Sequence, residues 1–438
     1  MFKLRNYFYP LEIIKLSRFL QKSRHFSKEQ LLDIQNRKLR TVIGQAYHHV
    51  PYYREIFDKK GLTPADIQTV HDLVHIPVLT KQTLRERYND LIADNSKQFN
   101  PYIDKTSGTT GTPLEFLQDK NVRIANFAFF WRAWQMAGYT PYMRWAQVDG
   151  MVFPQGDKIW RYNRTLNSLQ ISAFALNDAN CQRIFDKLNR FKPKILRGYP
   201  SALYTLALYA KKRQVKILFP LKSIITNAET LHEFQRNLIE AVFGCMVFDV
   251  YSAWDGVCII SECEYQAKHH HAEYGVLELL DKDNNPVSGE ETGEITGTSL
   301  HKMAMPLIRY KTGDLAAKSA ESCPCGRQHD VIKAIDGRIE DMVITPDGMQ
   351  VGRMDAAFKH CKGFDFARII QENTDSMQVE LVKNEDFNPS VLKILEGHIR
   401  DRVGNEIRVD FHFVDNIEPG PNGKIRFVTN KIPSERTK

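Results

Sequence analysis

The sequence predicts an α/β protein: a large N-terminal domain of strands and helices with a β-rich subdomain, then a small α+β C-terminal domain. Three observations carry this reading. Strand-length apolar runs alternate with helix-length amphipathic runs from about residue 195 to residue 256. After about residue 270 the texture changes to short strands separated by turns. Beyond about residue 340 a hairpin, two strands, a helix and a strand follow in about 100 residues.

Taken in order, residues 1–100 read as mostly helical, with breaks at Pro51, Pro64 and Pro77. Residues 121–139 read as a helix ended by Gly138. Its Trp131, Trp134 and Met136 suit core packing better than a substrate box. Ile195–Leu196 is a short buried strand, and "SALYTLALYAKKRQ" is a helix with an apolar face. "FPLKSIITNAET" is a strand running into a polar loop, "HEFQRNLIEAVFG" a helix, and "MVFDVYSAWDG" a strand-to-loop repeat. Such alternation implies a largely parallel sheet, whose ligands bind where strands end. "YGVLELLD", "GEITGTSL" and "PLIRYKTGDLA" are the β-rich segments. "DGRIEDMVITPDGMQVG" carries a Pro-Asp-Gly hairpin turn. The expected division is 1–100, the helical start of the large domain; 101–336, its core; 337–341, a hinge; and 342–438, the C-terminal domain.

Composition excludes several classes. Hydrophobic content is 42% and charged content 26%, ordinary for a globular chain. No run of about 18 apolar residues supports a membrane-spanning helix. No signal core with a cleavage site is visible, and 7 cysteines in 438 residues are not a disulfide framework, so a cytoplasmic setting is expected. No nucleic-acid motif is present. The net charge is +8, and residues 1–60 supply all of it, with 13 Lys/Arg against 5 Asp/Glu. Leu11–Arg24 reads as an amphipathic helix with Lys15, Arg18, Lys22 and Arg24 on its polar side. It is either a solvated helix packed on the large domain or a weak peripheral contact with an anionic inner-membrane face.

The loop "DKTSGTTGTPLEF" (Asp104–Phe116) concentrates Gly and hydroxyl residues. Glycines let successive N–H groups face a ligand, so the loop is either a phosphate cradle or a plain turn. It is not the Walker sequence, since no Gly-Lys-Ser/Thr follows.

The loop resembles the signature of the adenylate-forming ligase superfamily. Further segments are similar to that superfamily's motifs, in its order: "ITNAET" (Ile225–Thr230), "DVYSAWDG" (Asp249–Gly256), "RYKTGDLA" (Arg309–Ala316), "GRIED" (Gly337–Asp341) and "GPNGKIR" (Gly420–Arg426). "VPYYREIF", "IPVLTK", "WRAWQMAGY", "RGYPSALYTLA" and "ECEYQAKHHHAEYG" look like the phenylacetate–CoA ligase branch and its CapK-like capsular-polysaccharide subgroup. The resemblance implies an adenylate-forming N-terminal domain with a mobile C-terminal lid. It implies ATP and Mg²⁺ as cofactors and CoA as one acceptor. Thr106, Ser107, Gly108, Thr109, Thr110, Gly111 and Thr112 would hold the β/γ-phosphates. Asn227, Ala228 and Glu229 would line the adenine pocket with Tyr251. Asp314 would take the ribose hydroxyls, although Thr-Gly-Asp is also a common turn. Lys424 would meet the carboxylate and α-phosphate; the plainer reading is one more solvated lysine. Arg338 would reach the nucleotide, and Glu340 would be the pivot of a segment that otherwise reads as a linker.

Several departures from the family pattern stand out. Thr112 replaces the usual lysine. Ser252 and Asp255 replace the family Gly and Glu, and Asp255, one methylene shorter, would hold Mg²⁺ through water. Trp254 would narrow the acyl pocket or pack on the adenylate. Cys323 and Cys325, with Cys263 and His269, offer three thiolates and an imidazole, a closed tetrahedral set for structural Zn²⁺; His270 or His271 can replace His269. The implied activity is adenylation of a carboxylic acid and its transfer to a thiol or an amine, including a sugar-linked amine, in glycan biosynthesis. The alternative is a catalytically impaired nucleotide-binding or scaffold component of a glycan-assembly complex.

Overall fold

The computed structural model describes residues 9–105, 114–153, 158–253, 255–352, 354–358 and 361–432. The chain forms two compact units, Met1–Tyr139 with Phe248–Ile335, and Thr140–Val247 with Asp336–Lys438.

The first unit starts with helices Pro10–Ser23, Lys28–His49 and Pro51–Lys60. Pro10 and Pro51 sit in the first turns, where no N–H partner is lost. Pro51, read as a break, is thus a helix start. Ser27 and Gln30 close a capping box on the second helix. Helix Lys120–Met136 begins at Asp119. One Asp119 oxygen accepts from the N–H groups of Asn121 and Val122, the other from Met303 and Ala304 at 2.7 and 2.9 Å. One side chain thereby caps a helix and ties it to a loop 184 residues away. Leu20 of the first helix packs with Ala125, Ala128, Phe129, Ile259 and Tyr274, so that helix belongs to the core of the unit.

Hairpin strands Tyr102–Lys105 and Glu115–Gln118 pair antiparallel and bracket residues 106–113. The unit's larger sheet runs in the order Gly275–Leu280, Thr292–Ser299, Tyr310–Lys318, Val331–Arg338, Lys268–His270, Ile259–Glu262 and Val247–Ser252. Here the expected parallel pattern gives way. Val247–Ser252 pairs antiparallel with Ile259–Glu262, because the residues between them are too few for a helical crossover. Tyr53, Phe57, Phe116, Leu307 and Tyr310 fill the core beneath.

The second unit keeps the parallel pattern. Its strands run in the order Ser223–Asn227, Ile195–Gly198, Trp145–Asp149 and Ser168–Ser172, all parallel, with Trp160–Asn163 antiparallel at the edge. Helices Asp178–Phe191, Pro200–Lys212 and Glu233–Phe243 cover them. The strands at 145–149, 160–163 and 168–172 had no counterpart in the sequence reading. The register pairs Val148 with Gly198 and Gly198 with Thr226, so Asp149, Tyr199 and Asn227 lie along one edge, at the carboxyl ends. In the same unit, Arg408–Phe413, Ser376–Lys383, Phe364–Asn373 and Val428–Asn430 form a four-stranded mixed sheet. Helix Ser390–Val403 packs on it through Leu395, Ile399 and Val403. The hairpin Val343–Ile344 with Gln350–Val351 turns at Gly348, whose φ is +83°. Gly337 and Arg338 end the strand Val331–Arg338, and Ile339–Asp341 is one helical turn.

Candidate active site and metal centre

In the second unit, the loop Gly420–Arg426 folds back on itself: Gly420 N–H donates to the Lys424 carbonyl and Gly423 N–H to the Gly420 carbonyl, both at 2.8 Å. Gly423 has φ +75°, the left-handed region that suits glycine. The loop lies against Gly150, just past the strand Trp145–Asp149. A Cβ on Gly150 would fall 2.3 Å from the Asn422 carbonyl oxygen, so only glycine permits this approach. Lys424 Nζ donates to the Ala228 carbonyl at 2.7 Å and lies 5.4 Å from the centre of the Tyr199 ring. Ala228 is itself at φ +71°, a costly value for a residue with a Cβ. Glu229 accepts from Ser201 N–H and Oγ–H, both at 2.9 Å, and from Ile425 N–H at 3.2 Å. Burial pushes its carboxyl up to about 7, against the pull of those donors and of Lys424. The unit therefore gathers Asn227, Ala228, Glu229 and Lys424 where parallel strands end.

In the first unit, Tyr251 and Asp314 meet: the phenol donates to Asp314 Oδ2 at 2.7 Å. Burial and the adjacent Asp314 hold the Tyr251 hydroxyl well above its ordinary range. Asp314 follows Gly313, whose φ is +80°. A Cβ at Gly313 would lie 2.8 Å from Lys81 Nζ. Asp255 is buried, and burial pushes its carboxyl up to about 6, although Lys302 and Lys81 favour its charged form. Lys302 is fully buried. Its ammonium donates to the Asp255 carbonyl at 3.0 Å and stands 4.5 Å over the Phe116 ring. Burial pulls it down to about 8. Lys302 and Lys81 escaped the sequence reading. A lysine inside the apolar run "LHKMAMPLI" is the signal that marks Lys302.

The four proposed metal ligands come together. One ligand atom from each of Cys263, His269, Cys323 and Cys325 lies within 4.8 Å of the other three. Cys263 Sγ and Cys323 Sγ are 3.6 Å apart, and Cys325 Sγ is 3.3 Å from His269 Nε2. These separations suit a tetrahedral ion with metal–sulfur bonds of about 2.3 Å. His269 Nδ1 faces the His329 carbonyl at 3.3 Å, which fixes the tautomer that leaves Nε2 for metal. His271 instead bonds Ser261 Oγ through Nε2 at 2.7 Å, and His270 lies outside the set, so of the three histidines His269 is the one grouped with the cysteines.

Residues 343–431 match the CapK C-terminal domain family. Protein CapK of Staphylococcus aureus is 29% identical over 92% of this chain and 90% of its own length. Phenylacetate-coenzyme A ligase of Thermus thermophilus is 28% identical over 72% of each chain, and that of Aromatoleum evansii 26% over 93% of this chain and 96% of its own. Over most of its length the chain is thus similar to CapK and to the phenylacetate–coenzyme A ligases. The same fold is found in 2-hydroxyisobutyryl-CoA ligase in its postadenylation state, at a TM-score of 0.75 and 20% identity over 94% of this chain and 91% of the other. The amide bond synthetase McbA of Marinactinospora thermotolerans shares it at a TM-score of 0.53 and 14% identity, over 76% and 68%.

Arg338 terminates a strand, and Glu340 lies in the helical turn after it. Thr106, Ser107, Gly108, Thr109, Thr110, Gly111, Thr112 and Trp254 lie outside the described residues, as does the Glu340 side chain.

Proposed function

We propose that this protein is an ATP-dependent ligase that joins a carboxylic acid to AMP, releases pyrophosphate, and passes the acyl group to a thiol such as CoA or to an amine. The observation that carries the reading is Lys424, held by a backbone carbonyl at the carboxyl ends of parallel strands on a loop only glycine can seat. A carboxylate oxygen attacks the α-phosphorus and the bond to the bridging oxygen of pyrophosphate breaks. The barrier is mainly crowded negative charge, so a fixed cation and a fixed geometry are what the protein supplies. In this reading Lys424 neutralises the α-phosphate and the incoming carboxylate. Asp314, oriented by Tyr251, accepts from the ribose hydroxyls. Asn227, Ala228 and Glu229 border the adenine. Thr106–Thr112 hold the β/γ-phosphates, Asp255 serves Mg²⁺, and Arg338 contacts the nucleotide.

Residues 342–438 act as a lid turning at 337–341 with Glu340 as pivot. One Zn²⁺ held by Cys263, His269, Cys323 and Cys325 is structural, since four protein ligands leave no position for water. The CapK resemblance supports a role in cell-surface glycan assembly with a sugar-linked acceptor. Lys15, Arg18 and Lys22, on the exposed side of the first helix, support a weak contact with an anionic membrane face. The test is ATP–pyrophosphate exchange over a broad panel of carboxylic acids, followed by an acceptor screen. Exchange with one class of acid supports the ligase; nucleotide binding without exchange favours a scaffold instead.

A further inference from the structure

Strand Ile195–Gly198 hands over to helix Pro200–Lys212 through a single residue, Tyr199. Its backbone is fixed on both sides. Its N–H donates to the Val148 carbonyl at 3.2 Å, and Pro200 opens the helix that follows. A Cβ on Gly198 would fall 2.4 Å from that same carbonyl, so only glycine fits immediately before Tyr199. The half-buried side chain reaches two further elements. Its hydroxyl is hydrogen-bonded by the Gly150 backbone, and a Cβ on Gly150 would lie 3.1 Å from its oxygen. Across its ring stands the Lys424 ammonium, 5.4 Å from the ring centre, within the range at which an aromatic face attracts a cation. Gly150 also bears on Asn422, so the Tyr199 hydroxyl and the Lys424 loop rest on one glycine.

We propose that Tyr199 is the positioning residue of Lys424: its ring face seats the ammonium, and its hydroxyl, tied to Gly150, fixes where that face lies. The inference rests on the adenylation reading above and adds a residue to it. A lysine side chain has many rotamers, and restricting them before the substrate arrives keeps that entropy out of the barrier. What restricts them also decides how much charge is left. A carboxylate in the place of Tyr199 would hold the ammonium and cancel the charge that the reaction needs. An aromatic face attracts a cation without neutralising it, and so does the Ala228 carbonyl, which accepts from Lys424 Nζ at 2.7 Å. The neighbouring acid, Glu229, has its oxygens engaged by Ser201 and by Ile425 N–H. Ring and carbonyl together aim the ammonium and leave its charge for the carboxylate and α-phosphate.

The experiment uses the full chain and a double-mutant cycle. Tyr199→Leu removes the ring, Tyr199→Met repeats the test with an unbranched chain, and Tyr199→Phe keeps the ring; each is made alone and with Lys424→Ala. One readout is kcat and KM in pyrophosphate exchange. The other is the rate at which sulfosuccinimidyl acetate acylates Lys424, followed by mass spectrometry against the other lysines of residues 342–438. Tyr199→Leu is expected to lower kcat about tenfold with little change in KM, and Tyr199→Phe to recover most of that loss. In the Lys424→Ala background Tyr199→Leu is expected to cost nothing further, because its effect passes through the lysine. Lys424 is expected to be acylated severalfold faster in the leucine and methionine variants than in the wild type or Tyr199→Phe. A loss of the same size with and without Lys424 overturns the inference, since Tyr199 then merely supports the fold. Unchanged acylation of Lys424 overturns it whatever the exchange assay shows. Exchange absent from the wild type for every acid overturns the ligase reading, and the acylation rates alone then decide whether Tyr199 seats Lys424.

Discussion

Lys424 and Asp255 show what single side chains contribute. Lys424 Nζ touches a carbonyl near the surface rather than a buried partner, so its removal leaves the core untouched. Lys424→Ala is therefore expected to lower pyrophosphate exchange by about 10²–10³-fold, as loss of one electrostatic stabiliser does, with an unchanged melting temperature. Asp255 sets a pH dependence. Its ordinary value is 3.8, and burial lifts it to about 6. The folded protein thus holds this proton more tightly than the unfolded chain. The resulting stability is fully present below 3.8 and is lost as pH rises through about 6. Catalysis runs the opposite way, because Mg²⁺ needs the carboxylate form. Exchange is expected to fall on the acid side with a midpoint near 6, while the melting temperature of the wild type declines relative to Asp255→Asn across the same interval. An acid limb unchanged in Asp255→Asn would remove this assignment.

Among the elements, the 420–426 loop and the 145–149 strand depend on each other. Gly150→Ala drives a methyl group to 2.3 Å from the Asn422 carbonyl, a contact that backbone must relieve by moving. The expected result is a loss of exchange of at least about tenfold and a stability cost of roughly 1–3 kcal/mol, typical of overpacking. Faster proteolysis within the 420–426 loop would confirm that the loop has shifted. None of this was legible in the sequence. The strand at 145–149 sits in "MRWAQVDGMVF", where Arg, Gln and Asp interrupt the apolar run and hide the strand pattern. By contrast Ser223–Asn227, centred on Ile224 and Ile225 in "FPLKSIITNAET", was read directly as a strand. Antiparallel pairing at Val247–Ser252 was also hidden, since an isolated strand does not declare its partner's direction. The Cys/His set was legible as residue types, but the choice of His269 required the fold to aim the other two rings elsewhere.

For the whole molecule, metal analysis is expected to find about one zinc per chain. Cys323→Ser should remove it and lower the melting temperature by several degrees while the residues proposed to bind nucleotide remain. The first helix is as much a part of the molecule as the sheets. Its Leu20 is buried among aromatics, and Ser23 Oγ donates to Glu273, which Arg132 grips in a bidentate pair at 2.7 and 3.1 Å. Deleting it would leave a buried carboxylate short of a donor, so membrane contact is better tested by Lys15, Arg18 and Lys22→Glu. Those residues are exposed, beside Leu11 at 78% and Ile14 at 41% exposure. Flotation with anionic vesicles is expected to drop severalfold in the triple variant and in high salt; no change in either would sink the proposal.

The Cys/His cluster joins two points of the chain that lie 60 residues apart, Cys263 and Cys323. Between them run Gly275–Leu280, Thr292–Ser299 and Tyr310–Lys318, the last carrying Asp314. An ion bound there is a cross-link, and a loop of that span loses a large share of its unfolded-state entropy when closed. The strand that carries Asp314 is then clamped by chemistry away from the proposed nucleotide site. Zinc starvation would accordingly show itself in how long the protein survives proteases in the cell, with the turnover of each surviving molecule unchanged.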